Sequence, residues 1–195
     1  MVLVGRDKSK LAEQEKIITE KYSVAVKTIA VDLALPEAAE IIYDTCEDAK
    51  LEIDFLINNA GFGGQGDFAR ERTMEQDMSM IVVNIETPTR LCKLFRPDFI
   101  NRGSGRVLNV SSTAAMLPEP LQAVYYATKA YLTSFSNALW RELKDTGVTV
   151  TTLMPGAMKT NFAKRGGLED TKLFENAVEP MKVAEEGYNE CLKAN

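Results

Sequence analysis

Three side chains in the stretch VLNVSSTAAMLPEPLQAVYYATKAY, residues 107–131, have the types and spacing to move a proton. Tyr125 and Lys129 are four residues apart, so on a helix they share one face. Ser112 lies just past an apolar run, Val107, Leu108 and Val110, that reads as a buried strand. A hydroxyl at the C-terminal end of a strand, beneath a Tyr–Lys pair, can hold a carbonyl oxygen and hand it a proton. A free phenol has a pKa of about 10, too high for efficient exchange at neutral pH. A cation a few ångströms away favours the phenolate and lowers that value. Lys129 is the expected source of that charge. Tyr126 is the rival acid, but position 130 is Ala; Ser111 is the rival hydroxyl, at the wrong spacing.

Composition narrows the chemistry further. The 195 residues contain no histidine, which excludes Ser-His-Asp hydrolysis and His-ligated metal sites and leaves acid–base work to Tyr, Lys, Asp, Glu or Cys. A net charge of -5 gives a nucleic-acid partner no electrostatic support. No apolar run approaches the roughly 20 residues that span a bilayer, so no membrane partner is expected. The start, MVLVGRDKSK, is a short apolar run followed by charges, and no signal peptide is expected there. Cys46, Cys92 and Cys191 are far apart and lack CxxC spacing. That fits a reducing, cytoplasmic setting with structural thiols, and no metal site.

The elements that must position the Ser–Tyr–Lys group alternate between strand and helix. Val2–Val4 reads as the end of a parallel strand, followed by a helix over residues 8–22 and a Val-rich strand over 23–31. Pro36 opens a helix over 36–49. The apolar run 53–57 has the character of a strand buried on both faces. It stops at Asn58-Asn59-Ala60-Gly61, where a loop rich in glycine begins (Gly61, Gly63, Gly64, Gly66). A long helical region is expected over 67–101, kinked at Pro88 and capped by Gly103. The strand ahead of Ser112 follows, then a helix over 121–145 closed by Gly147, a strand over 148–154 ended by Pro155-Gly156, and a last helix over 180–192. This order implies one α/β domain, residues 1–195, with a parallel sheet and right-handed crossovers.

Together VLNVSSTAA…YYATKA, NNAG, VNIETPT and PGAMKT stand in the order and spacing of the short-chain dehydrogenase/reductase family, and the resemblance covers nearly the whole chain. It implies a doubly wound, Rossmann-like fold, a nicotinamide cofactor, and an oxidoreductase that interconverts a small-molecule carbonyl and an alcohol. It implies Tyr125 as the acid, Lys129 as the charge that also holds the nicotinamide ribose, Ser112 on the substrate oxygen, and Asn84 on a water in the proton relay. A helix Asn bonding to its own turn is the plainer reading of Asn84. Among cofactor residues, Asn59, Ala60 and Gly61 sit at a strand's C-terminal end, where open parallel sheets bind ligands. Ala60 and Gly61 leave space for the adenine ribose, whereas Asn58 is expected to tie neighbouring strands. Asp32, with Leu33, would meet the adenine, or else Asp32 simply caps the turn before Pro36. Pro155, Gly156 and Thr160 would lie along the carboxamide. Arg6 follows the first strand where a cation can pair with a 2′-phosphate, and Gly5 stands where an NAD site would place an acid. NADP(H) is therefore favoured over NAD(H). Met116, Leu117, Phe162, Leu168, Leu173 and Phe174 are candidates for an apolar substrate wall. A homodimer or homotetramer through the two long helices is the family habit.

The chain departs from the family at its edges. No TGxxxGxG turn, whose amides cradle a pyrophosphate, occurs in it. The sequence aligns from the family's second strand and stops before its final strand. Losing the first strand leaves two strands on one side, three on the other, and unpaired edges between. A truncated chain, direct closure of the flanking strands, and a partner filling the gap all fit the sequence. Weak dinucleotide binding is expected of the chain alone. A catalytically silent scaffold is the alternative function.

Overall fold

The computed structural model describes residues 1–167 and 177–193. Strands and helices alternate as expected: β1 (Val2–Gly5), α1 (Lys8–Tyr22), β2 (Lys27–Ala30), α2 (Ala38–Asp48), β3 (Phe55–Asn58), α3 (Met74–Ile81), α4 (Thr87–Arg102), β4 (Gly105–Val110), α5 (Ala123–Glu142), β5 (Val148–Leu153), α6 (Phe162–Gly166) and α7 (Pro180–Lys193). All named strand pairs are parallel. They form two separate sheets, β1–β2 and β3–β4–β5. Among the described residues, no strand of one sheet is hydrogen-bonded to a strand of the other. The flanking strands therefore do not close directly over the absent one, and the gap is retained.

One core spans that gap. Val2 and Val4 pack on the same cluster as Ile29, Leu56, Val107, Val148 and Val150, with Ala39, Ile42 and Cys46 of α2 against Leu91, Cys92, Phe95 and Phe99 of α4. Phe99, 1% exposed, plugs the space beside Gly105, where a Cβ would lie 2.3 Å from its ring. Strand alternation turns Val107 and Asn109 toward α4 and α5 and turns Phe55 and Leu153 toward α7. Phe55 there meets Tyr188, and Leu153 meets Gly187. Helices on both faces make the fold doubly wound. Cys46, Cys92 and Cys191 are buried free thiols.

Several boundaries differ from the sequence reading for identifiable reasons. Ser23 caps α1 in the left-handed region (φ 53°), so the strand expected over 23–31 is only β2. Pro36 belongs to a turn, and α2 starts at Ala38. Asn58 is the last residue of β3, not the first of its loop. The helix expected from residue 67 starts at Met74, because Thr73 and Gln76 form a reciprocal capping box. Leu121 (φ 65°) cannot begin a helix, so α5 starts at Ala123. The long helical region is interrupted at Val82–Glu86 by a π-turn, in which the Thr87 N–H donates to the Val82 carbonyl. Pro88 begins a new helix rather than kinking an old one; having no N–H, it cannot donate to the carbonyl of Asn84 four residues back.

Candidate active site

The end of β4 and the first turns of α5 are clasped by reciprocal hydrogen bonds. Lys129 Nζ donates to the Val110 carbonyl at 2.8 Å, and Ser111 Oγ donates to the Lys129 carbonyl at 2.9 Å. Ser111 has one proton, so its 2.6 Å bond to Thr133 Oγ1 must be donated by Thr133. Ser111, the rival hydroxyl, lines the same cleft as Ser112 but is 2% exposed and committed to holding α5. Ser112 caps a short 3₁₀ turn, Thr113–Met116, accepting from the Ala114 N–H at 3.1 Å. Its hydroxyl donates to the Pro155 carbonyl at 3.4 Å and lines the same cleft as Tyr125. A deeper relay fixes the same elements: Asn58 Nδ2 donates to Asn109 Oδ1 at 2.8 Å, and Asn109 Nδ2 to Ser136 Oγ at 2.9 Å. Asn58 ties β3 to β4, as the sequence suggests.

Asn84 does not bond to its own turn. It is 1% exposed on the π-turn and grips the backbone of Phe62, accepting from its N–H at 3.1 Å and donating to its carbonyl at 2.9 Å. Its amide also donates to Thr128 Oγ1 at 3.1 Å. This double bond to one residue holds the glycine loop against Tyr125. A Cβ at Gly63 would stand 3.2 Å from the Tyr125 ring and 2.8 Å from Phe162 Cζ. Tyr125 sits in a small apolar cluster with Met80 and Ala114, its ring 5.4 Å from that of Phe162.

The electrostatics differ from the sequence expectation in one respect. Burial pushes the Tyr125 phenol above its ordinary value; the Ser112 hydrogen bond opposes the rise, and Tyr126 adds to it. Lys129 contributes no depression. Its ammonium is turned onto Val110, 5.9 Å from the centre of the Tyr125 ring. Burial also brings Lys129 itself down to about 8. Tyr125 therefore keeps its proton at neutral pH, the state required of a general acid.

A cleft of about 390 Å³ opens beside these groups. It is lined by Asn59, Gly61, Ser112, Tyr125, Lys129, Pro155, Gly156 and Thr160, and its apolar wall includes Tyr126, Ala157, Met158 and Phe162. Backbone shape at Gly61 keeps it open: a Cβ there would lie 3.1 Å from Asn84 Oδ1 and 3.4 Å from Lys129 Nζ. Nothing crowds Gly156. Thr160 accepts from the Phe162 N–H at 3.2 Å and stays exposed. Ala60, exposed at the end of β3, is not among the lining residues. Arg6, Asp32 and Leu33 also lie outside the cleft lining. Arg6 and Asp32 are both solvent-accessible and paired at 3.7 Å, while Asp32 Oδ1 accepts from the Ala34 N–H at 3.0 Å. The turn-capping reading of Asp32 is thus correct as far as it goes. Asp7, next to Arg6, is engaged elsewhere, capping α1 through the Lys10 N–H. Of the proposed apolar wall, Phe162 is in place; Met116 and Leu117 point to solvent at 72% and 71% exposure. Leu168, Leu173 and Phe174 lie outside the described residues. Sequence reasoning missed Thr87, Thr128 and Phe62. For Thr87 a signal existed: a polar residue on the buried stripe Asn84, Thr87, Pro88, Leu91.

Known proteins share this fold. A family model described as short chain dehydrogenase matches residues 1–170. The very-long-chain 3-oxoacyl-CoA reductase of Homo sapiens is 36% identical over 169 residues, which are 84% of this chain and 53% of that protein. The chain spans about half the length of the curated relatives it matches. A short-chain dehydrogenase from Sphingobium yanoikuyae, solved in complex with NADPH, superimposes with a TM-score of 0.88 at 30% identity, covering 97% of this chain and 74% of its own. A 7beta-hydroxysteroid dehydrogenase follows at 0.85 and 26% identity, covering 97% and 73%.

Proposed function

This chain belongs to the short-chain dehydrogenase family, and from that premise we propose that it carries the catalytic half of an NADP(H)-dependent oxidoreductase interconverting a carbonyl and an alcohol. The observation that carries the reading is the gathering of Ser112, Tyr125 and the buried Lys129 around one cleft. NADP(H), when bound, supplies or accepts the hydride. Ser112 orients the substrate oxygen by a hydrogen bond. Tyr125 delivers its proton to that oxygen in reduction and recovers it in oxidation. Lys129 presents its free N–H groups to the cleft, where they would hold the nicotinamide ribose. Gly61, Pro155, Gly156 and Thr160 would hold the nicotinamide end, and Arg6 would supply a cation for a 2′-phosphate. The NADPH in the Sphingobium neighbour supports this cofactor choice. The apolar wall at Tyr126, Met158 and Phe162, with the reductases among the relatives, supports a substrate whose carbonyl bears a bulky apolar group. Three free thiols support a reducing compartment such as the cytoplasm. Tyr131 and Trp140, exposed on α5, support assembly through α4 and α5 into a homodimer or homotetramer, which sedimentation velocity can measure.

The test is a panel of aldehydes, ketones and alcohols with saturating NADPH or NADP⁺, run beside Tyr125→Phe. Turnover should fall at least about 100-fold in the variant. Undiminished activity in Tyr125→Phe would remove the assignment of the acid. A chain inactive with every substrate, yet folded, would favour the silent scaffold.

A further inference from the structure

The two sheets share no strand pairing, so side chains must fix how the Asp32–Leu33 turn, at the end of β2, stands relative to Lys129. The turn fixes its own shape locally: Ala34 N–H donates to Asp32 Oδ1 at 3.0 Å and Leu35 N–H to the Asp32 carbonyl at 3.1 Å. Neither bond fixes its place. Leu33 packs on the shared core, and Thr87 adds a directed tether. Its hydroxyl donates to the Leu33 carbonyl at 2.8 Å, 54 residues away.

The choice of partner is informative. A threonine in a helix ordinarily returns its hydroxyl to its own i−4 carbonyl. Thr89 does so with Ile85 at 2.7 Å, and Thr45 with Ile41 at 2.6 Å. Thr87 is 4% exposed, and its bond leaves the helix altogether. Three residues earlier, Asn84 is fastened to Phe62 and to Thr128, the neighbour of Lys129. Three residues later, Arg90 Nε donates to Glu40 Oε1 at 3.1 Å, anchoring the start of α2 beyond the same turn. One short stretch therefore touches both the Asp32–Leu33 turn and the neighbour of Lys129, and its parts are only about 1.5 Å per residue apart along the axis. Its β-branched side chain has a restricted χ1, which suits it to set a distance.

We propose that Thr87 is a positioning residue for the adenine end of the cofactor cleft, holding the Asp32–Leu33 turn at a fixed place relative to Lys129. This rests on the NADP(H) reading above. Removing the hydroxyl leaves the Leu33 carbonyl without its partner and frees the turn to shift, so adenosine recognition weakens while the fold persists.

The probe is 2′,5′-ADP, which carries the adenosine end without pyrophosphate bridge or nicotinamide, titrated by NMR well below the unfolding midpoint so that all variants are folded. Thr87→Val, which keeps the shape and loses the hydroxyl, should weaken binding about tenfold. Thr87→Ser, which keeps the hydroxyl, should bind within about twofold of wild type. A role confined to stability would move the unfolding midpoint of Thr87→Val without moving this affinity. Equal affinity in wild type and Thr87→Val, or equal loss in both variants, overturns the role of Thr87 alone. A wild type that binds no 2′,5′-ADP overturns the cofactor reading and the role of Thr87 with it. If Thr87→Val does not fold, Glu40→Gln on the half-exposed flank of the same tether is read in its place: weaker binding supports the proposal and unchanged binding overturns it.

Discussion

At the residue scale, Lys129 is the group whose environment differs most from its sequence expectation. Its spacing from Tyr125 was readable, because i and i+4 share a helix face. Its protonation was not, because burial depends on β4 and on the glycine loop. With its pKa near 8 in the folded chain and 10.5 as the reference, the unfolded chain binds the extra proton between those values. Stability therefore rises with pH across that window. Partly buried Tyr43 and buried Tyr125, both raised, act in the opposite sense above about 10, so the rise shows between pH 8 and 10. We expect wild type to gain about 2 kcal/mol of unfolding free energy over that range relative to Lys129→Met, as an upper figure. Paired urea titrations at pH 8 and pH 10 measure the difference. A parallel pH response in both proteins would show that Lys129 is charged without penalty.

At the scale of elements, the ends of helices carry the information that places the site. Gly103 ends α4 at φ +67°, and Gly147 precedes β5 at φ +77°. The two touch: a Cβ at Gly147 would lie 2.0 Å from the Gly103 carbonyl oxygen, whereas one at Gly103 would meet nothing within 4 Å. Gly103→Ala should therefore cost about 1 kcal/mol, for backbone strain only. Gly147→Ala adds a backbone clash and should cost about 3 kcal/mol or more. Thermal unfolding of the two variants side by side checks the contrast. Gly103 was legible as a helix end; Gly147, expected to close α5, lies beyond its end at Glu142, and the contact between the two glycines was not legible because it joins residues 44 positions apart. The same limit hid the π-turn. Pro88 announces a break in the sequence, but its form depends on Asn84 reaching Phe62 and Thr87 reaching Leu33.

At the scale of the whole molecule, alternation of strand and helix made the parallel α/β plan readable, and the core residues followed from it. The gap between sheets was also foreseeable from the absent glycine turn, but its outcome was not. Packing of α2 on α4 holds both sheets in one body without a ladder between them. This decides the affinity expected of the 195-residue chain. On the proposed reading Arg6, Gly61, Gly156 and Thr160 would hold the ends of a dinucleotide, while the chain contains no TGxxxGxG amides for the pyrophosphate between them. NADPH should therefore bind this chain with a dissociation constant above about 100 μM, several kcal/mol short of the tight range. A fluorescence titration giving low-micromolar affinity would contradict that and would show that the two ends suffice.

The clasp between Lys129 and Val110 has a consequence for entropy. A lysine side chain loses up to about 2 kcal/mol of rotamer freedom when it is immobilised. Here one of its three N–H groups is already fixed on a carbonyl, so that loss has occurred during folding. The remaining two N–H groups are left as a tripod's free legs, aimed before any ligand arrives.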